Sequence, residues 1–150
     1  MPSTFHPIKE VALLFLGIFA TMMPTLDFLE SHAGSLGLSV PGTYYWLTGS
    51  PSAFLDNAPT YLAFLSAAMG FTGSDVAGML HSSPLLIVAI SLGAVFFGAV
   101  SYIGNGPNFM VKSIAERAGL RCPSFFGYMI RYSVPILLPV LALVWLLFLR

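Results

Sequence analysis

Charge is what this chain has least of. Charged side chains make up 8% of its 150 residues and hydrophobic ones 57%, where soluble domains carry about 25% charge. That scarcity excludes a soluble globular domain, and a net charge of zero with no basic stripe excludes a nucleic-acid partner. Cysteine is nearly absent too: Cys122 stands alone, so no internal disulfide exists and nothing argues for an oxidising compartment. His32 and His81 have no ligand at metal spacing, which leaves them as surface histidines in outer loops. There is no H-E-x-x-H, no pair of intramembrane aspartates at protease-like spacing and no Ser/His pair at a common depth, so the chain is not read as an enzyme.

What is present is apolar sequence in long segments. Ile8 to Leu29 is long enough to cross a hydrocarbon core of about 30 Å at about 1.5 Å per residue, with Pro24 expected to kink it. A signal-peptide reading of Met1 to Met23, with Ser31 and Ala33 as a weak cleavage pair, fails because the apolar stretch runs on and the rest of the chain is equally lipophilic. A Gly- and Ser-rich connection from His32 to Pro41 follows. Thr43 to Met69 is apolar again, but Asp56-Asn57-Ala58-Pro59-Thr60 splits it into arms of about thirteen and nine residues, each too short to cross alone. It is either one kinked span or a re-entrant hairpin with its tip at Asp56 to Thr60.

Four of the six basic residues, Lys112, Arg117, Arg121 and Arg131, fall in one window. The positive-inside rule puts that window in the cytoplasm and the Lys- and Arg-free loop Gly70 to Ser83 outside, on either side of a third segment, Pro84 to Ile103. With Lys9 also inside, the rule favours the re-entrant hairpin, cytoplasmic N-terminus and residues 109–131, and an external C-terminus. Phe109 to Leu120 reads as an amphipathic half-helix, with Lys112, Glu116 and Arg117 opposite its apolar face. Ser133 to Leu149 is the last span, with Pro135 and Pro139 in its first turns. Ala89, Gly93, Ala94 and Gly98 offer a small-residue face for close helix packing, and Tyr44, Tyr45 and Trp46 read as an interfacial belt, with Trp145 facing lipid.

The chemistry is expected at two breaks. Asn57-Ala58-Pro59-Thr60 and Asn105-Gly106-Pro107-Asn108 each combine an Asn, a small residue, a proline and a polar residue at membrane depth. Pro59 and Pro107 lack an N–H and disfavour helix before them, which frees upstream carbonyls. Asn57, Thr60, Asn105 and Asn108 add neutral oxygens that suit a sodium ion, the N-termini of the following half-helices suit an anion, and Gly104 and Gly106 permit a tight backbone. Asp56 is the carboxylate expected near the midplane, as an ion ligand, as a helix cap, or as both. Asp27 and Glu30 read as interfacial, with proton handling by Asp27 the other reading.

Phe54-Leu55-Asp56-Asn57-Ala58-Pro59-Thr60, then Ser101-Tyr102-Ile103-Gly104-Asn105-Gly106-Pro107-Asn108 with Lys112 after it, resembles the C-terminal half of the ion transporter superfamily. The resemblance is to the group of NhaD-type sodium/proton antiporters, arsenite permeases and citrate-type carriers. It runs from His6 through Tyr128 and is strongest at the two breaks. It implies an all-α integral membrane fold of about three spanning helices, one broken near Gly104 to Asn108, plus a re-entrant hairpin. Asp56, Asn57 and Thr60 would form the hairpin tip and Gly104, Asn105, Gly106 and Asn108 the broken-helix tip of one half of an inverted-repeat transporter. The function implied is secondary active transport in the inner (plasma) membrane, sodium/proton antiport first and arsenite or carboxylate transport second. The rival is a non-transporting accessory subunit or truncated remnant. The partners implied are the lipid bilayer and a complementary N-terminal half or second subunit, including a second copy; no cofactor is implied beyond sodium or a proton. Family members carry two such halves, and this chain matches one.

Overall fold

The computed structural model describes residues 6–32 and 39–150, and the regular structure of those residues is helical throughout. Ala33 and most of the expected His32 to Pro41 connection lie outside the described residues. The helices are α1 (His6–His32), α2 (Pro41–Ser52), α3 (Asn57–Thr72), α4 (Val76–Ser82), α5 (Pro84–Phe97), α6 (Gly106–Arg117) and α7 (Phe125–Phe148).

Local chemistry sets their ends. Pro41, Pro84 and Pro107 stand in the first turns of α2, α5 and α6, where a missing N–H costs nothing. Asp56 caps α3 through Ala58 N at 3.1 Å, Asp75 caps α4 through Gly78 N at 2.8 Å, and Ser124 caps α7 through Gly127 N at 3.3 Å. Gly73 closes α3 at φ 62°, a left-handed turn that favours glycine.

Three sequence expectations need correction. The polar loop Gly70 to Ser83 contains α4, because the Asp75 cap starts a helix that the fully buried Met79 pins to the core. The third segment stops being helical at Phe97, not Ile103, because the hydroxyl of Ser101 takes the N–H groups of Ile103 and Gly104 at 3.2 and 3.1 Å. The last segment starts at Phe125, so Pro135 lies in a helix interior, within a π-wound stretch, Met129–Leu137. Proline removes an i→i−4 bond there, and the wider turn absorbs the loss.

Helix α5 is the central element. It runs parallel to α2 in a constant register: Tyr45 meets Gly93, Gly49 meets Phe97, and Ser101 Oγ donates to Ala53 O at 2.6 Å, each pair 48 residues apart. The small-residue face makes this possible, since a Cβ built on Gly93 would lie 2.6 Å from the Tyr45 carbonyl. Helix α3 starts at the opposite end from its link to α5: Asn57 abuts Gly98, while Thr72 leads through the seven-residue α4 back to Pro84. The chain therefore reverses at residues 53–56, with α2 and α3 running in opposite directions along α5.

Helix α1 runs with α3. Met22, Thr25 and Leu26 border one cavity with Leu55, Pro59 and Thr60 at the reversal, and at the other end Gly70 lies so close to the Glu30 backbone that a Cβ there would overlap the Glu30 carbonyl. Helix α7 closes the bundle, its Leu141 carbonyl accepting from Tyr45 Oη at 3.1 Å and Trp145 meeting Trp46 edge-on at 6.3 Å between ring centroids. Tyr44 and Tyr45 are consequently fully buried core residues and not an interfacial belt, and Trp145 is half-buried against Gly42.

Among the described residues, α7 is long and apolar enough to cross a membrane, with a mean hydropathy of 2.0, and α4 with α5 qualifies only as a pair bent by 111°. Val134, Ile136, Val140, Leu143, Leu147 and Phe148 of α7 are all at least half exposed, the kind of apolar surface that a partner or a lipid bilayer covers.

Candidate functional site

The two breaks meet. Asn57, the first residue of α3, sends its side chain between the ends of α2 and α5. With its amide turned so that nitrogen faces acceptors, Nδ2 lies 3.0 Å from Ala94 O, 3.0 Å from Ser52 Oγ and 3.1 Å from Gly104 O. Ser52 Oγ in turn donates to Ala94 O. Gly98 lies directly against this amide and Gly104 against the carbonyls of Ser52 and Ala53, both at 2.6 Å from a built Cβ in the latter case.

Carbonyls freed at the breaks are satisfied by side chains rather than by helix. Ser101 Oγ serves Ala53 O at 2.6 Å, Tyr128 Oη serves Ala99 O at 3.2 Å, and Ser133 Oγ serves Val100 O at 2.6 Å. Ser52, Ser101 and Ser133 are all at most 1% exposed. A backbone without helical partners persists at such depth only when its polar groups are answered in this way.

The other expected site residues are distributed around this junction. Asp56 is exposed and occupied as the α3 cap. Thr60 is buried, and its Oγ1 donates to Asp56 O at 3.0 Å. Pro59 and Thr60 border an apolar cavity of about 210 Å³ shared with Met22, Thr25 and Leu26 of α1. Asn105 is half-buried and precedes α6 without a side-chain cap bond; its carbonyl accepts from Asn108 N at 3.0 Å. Gly106 and Pro107 are exposed. Asn108 faces a different cavity, of about 290 Å³, with Tyr102, Val111, Lys112, Cys122 and Tyr128.

The residues that sequence reasoning missed are Ser52, Ser101, Tyr128 and Ser133. A serine does stand a few residues ahead of each break, Ser52 before Asn57 and Ser101 before Asn105, but Ser50 stands almost as near the first, so the sequence does not single Ser52 out. Ser52 also continues a line of fully buried hydroxyls at helical spacing, Tyr44 and Thr48, neither of which has a hydrogen-bond partner among the described residues. A further cavity, of about 620 Å³ and lined by residues including Asp27, Glu30 and Asp75, lies at the far ends of α1 and α3, away from the junction. Among the described residues no group of His, Cys, Asp and Glu is placed to hold a metal ion.

The family model described as "Putative citrate transport" matches residues 2–149. The chain belongs to this citrate transporter family. No curated protein and no solved structure matches it. Proteins of the citrate transporter family are transporters and not enzymes, which agrees with the resemblance carried by the two breaks. A membrane carrier is the context in which an apolar bundle holds a polar junction of carbonyls and amides at its centre.

Proposed function

We propose that this chain is one half of a cation-coupled carboxylate transporter whose ion and substrate site is built around the junction of its two breaks. The observation that carries the reading is the Asn57 amide bound to the Gly104 carbonyl at 3.1 Å, which ties the tip of one arm pair to the tip of a broken helix. The family resemblance put sodium/proton antiport first and arsenite or carboxylate transport second; the citrate description of the matching family model moves the preferred substrate to a di- or tricarboxylate.

The reversal at residues 53–56 is read as a re-entrant hairpin. Its arms, α2 and α3, are 12 and 16 residues long, about 18 and 24 Å, both short of an about 30 Å core. Its tip lies beside Met22 to Leu26, so α1 continues toward His6 for about 24 Å beyond it. A span with a hairpin turning part-way along its length supports a tip at membrane depth. Sodium or a proton is the coupling ion, bound by carbonyl and amide oxygens with the Asp56 charge nearby, and the site is completed by an N-terminal half or a second copy. The orientation puts residues 109–131 in the cytoplasm of an inner (plasma) membrane.

Reconstitution tests this. Proteoliposomes holding the protein with its complementary half should take up labelled citrate under an imposed sodium or proton gradient and not without one. Sodium/proton exchange without citrate movement would return the antiport reading, and no movement of any of these solutes would leave an accessory subunit.

A further inference from the structure

The cavity beneath the second break carries a single charge among its lining residues. Lys112 lines it together with Asn108, Tyr102, Cys122 and Tyr128, and no carboxylate does. Asn108 and Lys112 are four residues apart and so share a face of α6, Asn108 in the uncapped first turn, where the helix dipole adds positive potential, and Lys112 one turn further on. The Lys112 ammonium is held 4.9 Å over the Tyr102 ring and 2.6 Å from Glu116 Oε1.

That ion pair is oriented against the helix. A carboxylate stabilises a helix best when it precedes its lysine; here Lys112 precedes Glu116, and Glu116 sits in the last turn, where a negative charge opposes the dipole. Glu116 is also the looser partner, its side chain 47% exposed against 20% for Lys112. An exposed pair of this kind adds little to stability. The lysine, by contrast, is held against an aromatic face on the cavity wall.

We propose that Lys112 binds a carboxylate of the transported di- or tricarboxylate, with the Asn108 amide beside it, and that Glu116 occupies the ammonium when substrate is absent. The assignment rests on the carboxylate reading above and names the residue that selects a polyanion. Substrate and Glu116 compete for one ammonium, so the two ends of this ion pair have opposite effects on affinity.

The test uses citrate as the probe, acetate as the monocarboxylate control and Cys122, the lone thiol, as a reporter on the cavity wall. Citrate should slow maleimide labelling of Cys122 severalfold in the intact protein while acetate does not. Lys112→Gln should abolish that protection and raise the KM for citrate uptake about tenfold or more, and Glu116→Gln should lower the KM. Equal KM in wild type and Lys112→Gln overturns the assignment while leaving carboxylate transport standing, as does an increase in KM with both substitutions, the mark of a merely structural pair. If the wild type moves no carboxylate, the transport reading fails and this assignment falls with it.

Discussion

The side-chain amide of Asn57 donates to the carbonyl of Gly104 across 3.1 Å, fastening the start of α3 to the break between α5 and α6. The same nitrogen also reaches Ala94 O, which keeps Ser52 Oγ as a donor, so loss of the amide strands the Gly104 carbonyl. A buried acceptor left unsatisfied costs about 1–3 kcal/mol. Asn57→Asp keeps the shape but has no donor when ionised and sets a charge against two carbonyls. Both Asn57→Ala and Asn57→Asp should lower thermal stability in detergent and reduce uptake more than tenfold. Wild-type behaviour of Asn57→Asp would show that the amide is not the link.

Glycines at the junction are expected to differ sharply in tolerance. A methyl at Gly104 would lie 2.6 Å from the carbonyls of both Ser52 and Ala53, and one at Gly98 would strike the Asn57 amide, whereas one at Gly106 meets nothing within 4 Å. Backbone carbonyls do not yield as side-chain tips do, so Gly104→Ala should separate α2 from the break and cost about 1–3 kcal/mol. Gly106→Ala, in the first turn of α6, should fold at least as well as wild type. Melting curves of the two variants make the comparison; equal destabilisation would refute the close approach.

Much of this arrangement was legible in the sequence, and the rest was hidden for identifiable reasons. The two breaks, the small-residue face of α5 and the amphipathic α6 follow from proline, glycine and helical periodicity. The reversal between α2 and α3 was undecided because a hydropathy window carries no direction and Lys9 was the one charge able to choose. Tyr44 and Tyr45 looked interfacial beside Trp46, but Tyr45 is covered by elements far along the chain, Phe97 of α5 and, through its hydroxyl, the Leu141 carbonyl of α7. The serines are the clearest case. Ser50 and Ser91 bond carbonyls of their own helices at 2.8 and 2.7 Å, while Ser52 and Ser133 bond carbonyls of α5 and its break. Nothing local in the sequence separates the two kinds.

Tyr44 and Thr48 should respond in the opposite way to Ser52. Their hydroxyls are buried without a partner among the described residues, so Tyr44→Phe and Thr48→Val remove an unpaired polar atom and keep the volume. Stability should hold or rise in both variants, and Ser52→Ala, which removes a bond to Ala94 O, should cost about 1 kcal/mol. Destabilisation by Tyr44→Phe or Thr48→Val would mean that these hydroxyls are answered from outside the protein.

Asp56 allows its cap and its charge to be separated. Its Oδ1 accepts from Ala58 N at 3.1 Å, a role that Asn fills about as well, while Ala gives up about 1 kcal/mol. Asp56→Asn should therefore melt like wild type. In the proposed site it should still lose severalfold in apparent affinity for the coupling cation, read from the sodium or pH dependence of citrate uptake. Unchanged dependence would reduce Asp56 to a cap and confine the site to Asn57 and the second break.

The packing of α1 on α3 predicts the topology of the hairpin. Gly70 lies on the Glu30 carbonyl, and Asp27, Glu30, Ser31, Gly73 and Asp75 border one cavity, so the ends of α1 and α3 are level. A full crossing by residues 41–72 would separate those ends by a membrane thickness. Single cysteines should be placed at Ser31 and Ala77, both exposed, because Gly73 has a left-handed φ of 62° that other residues resist. In a Cys122→Ser background, Ser31→Cys and Ala77→Cys should both react with an impermeant thiol reagent added to the same side, and the positive-inside rule makes that side the external one. Labelling from opposite sides would mean that the chain crosses at residues 53–56 instead of turning back there, and the hairpin reading would be lost.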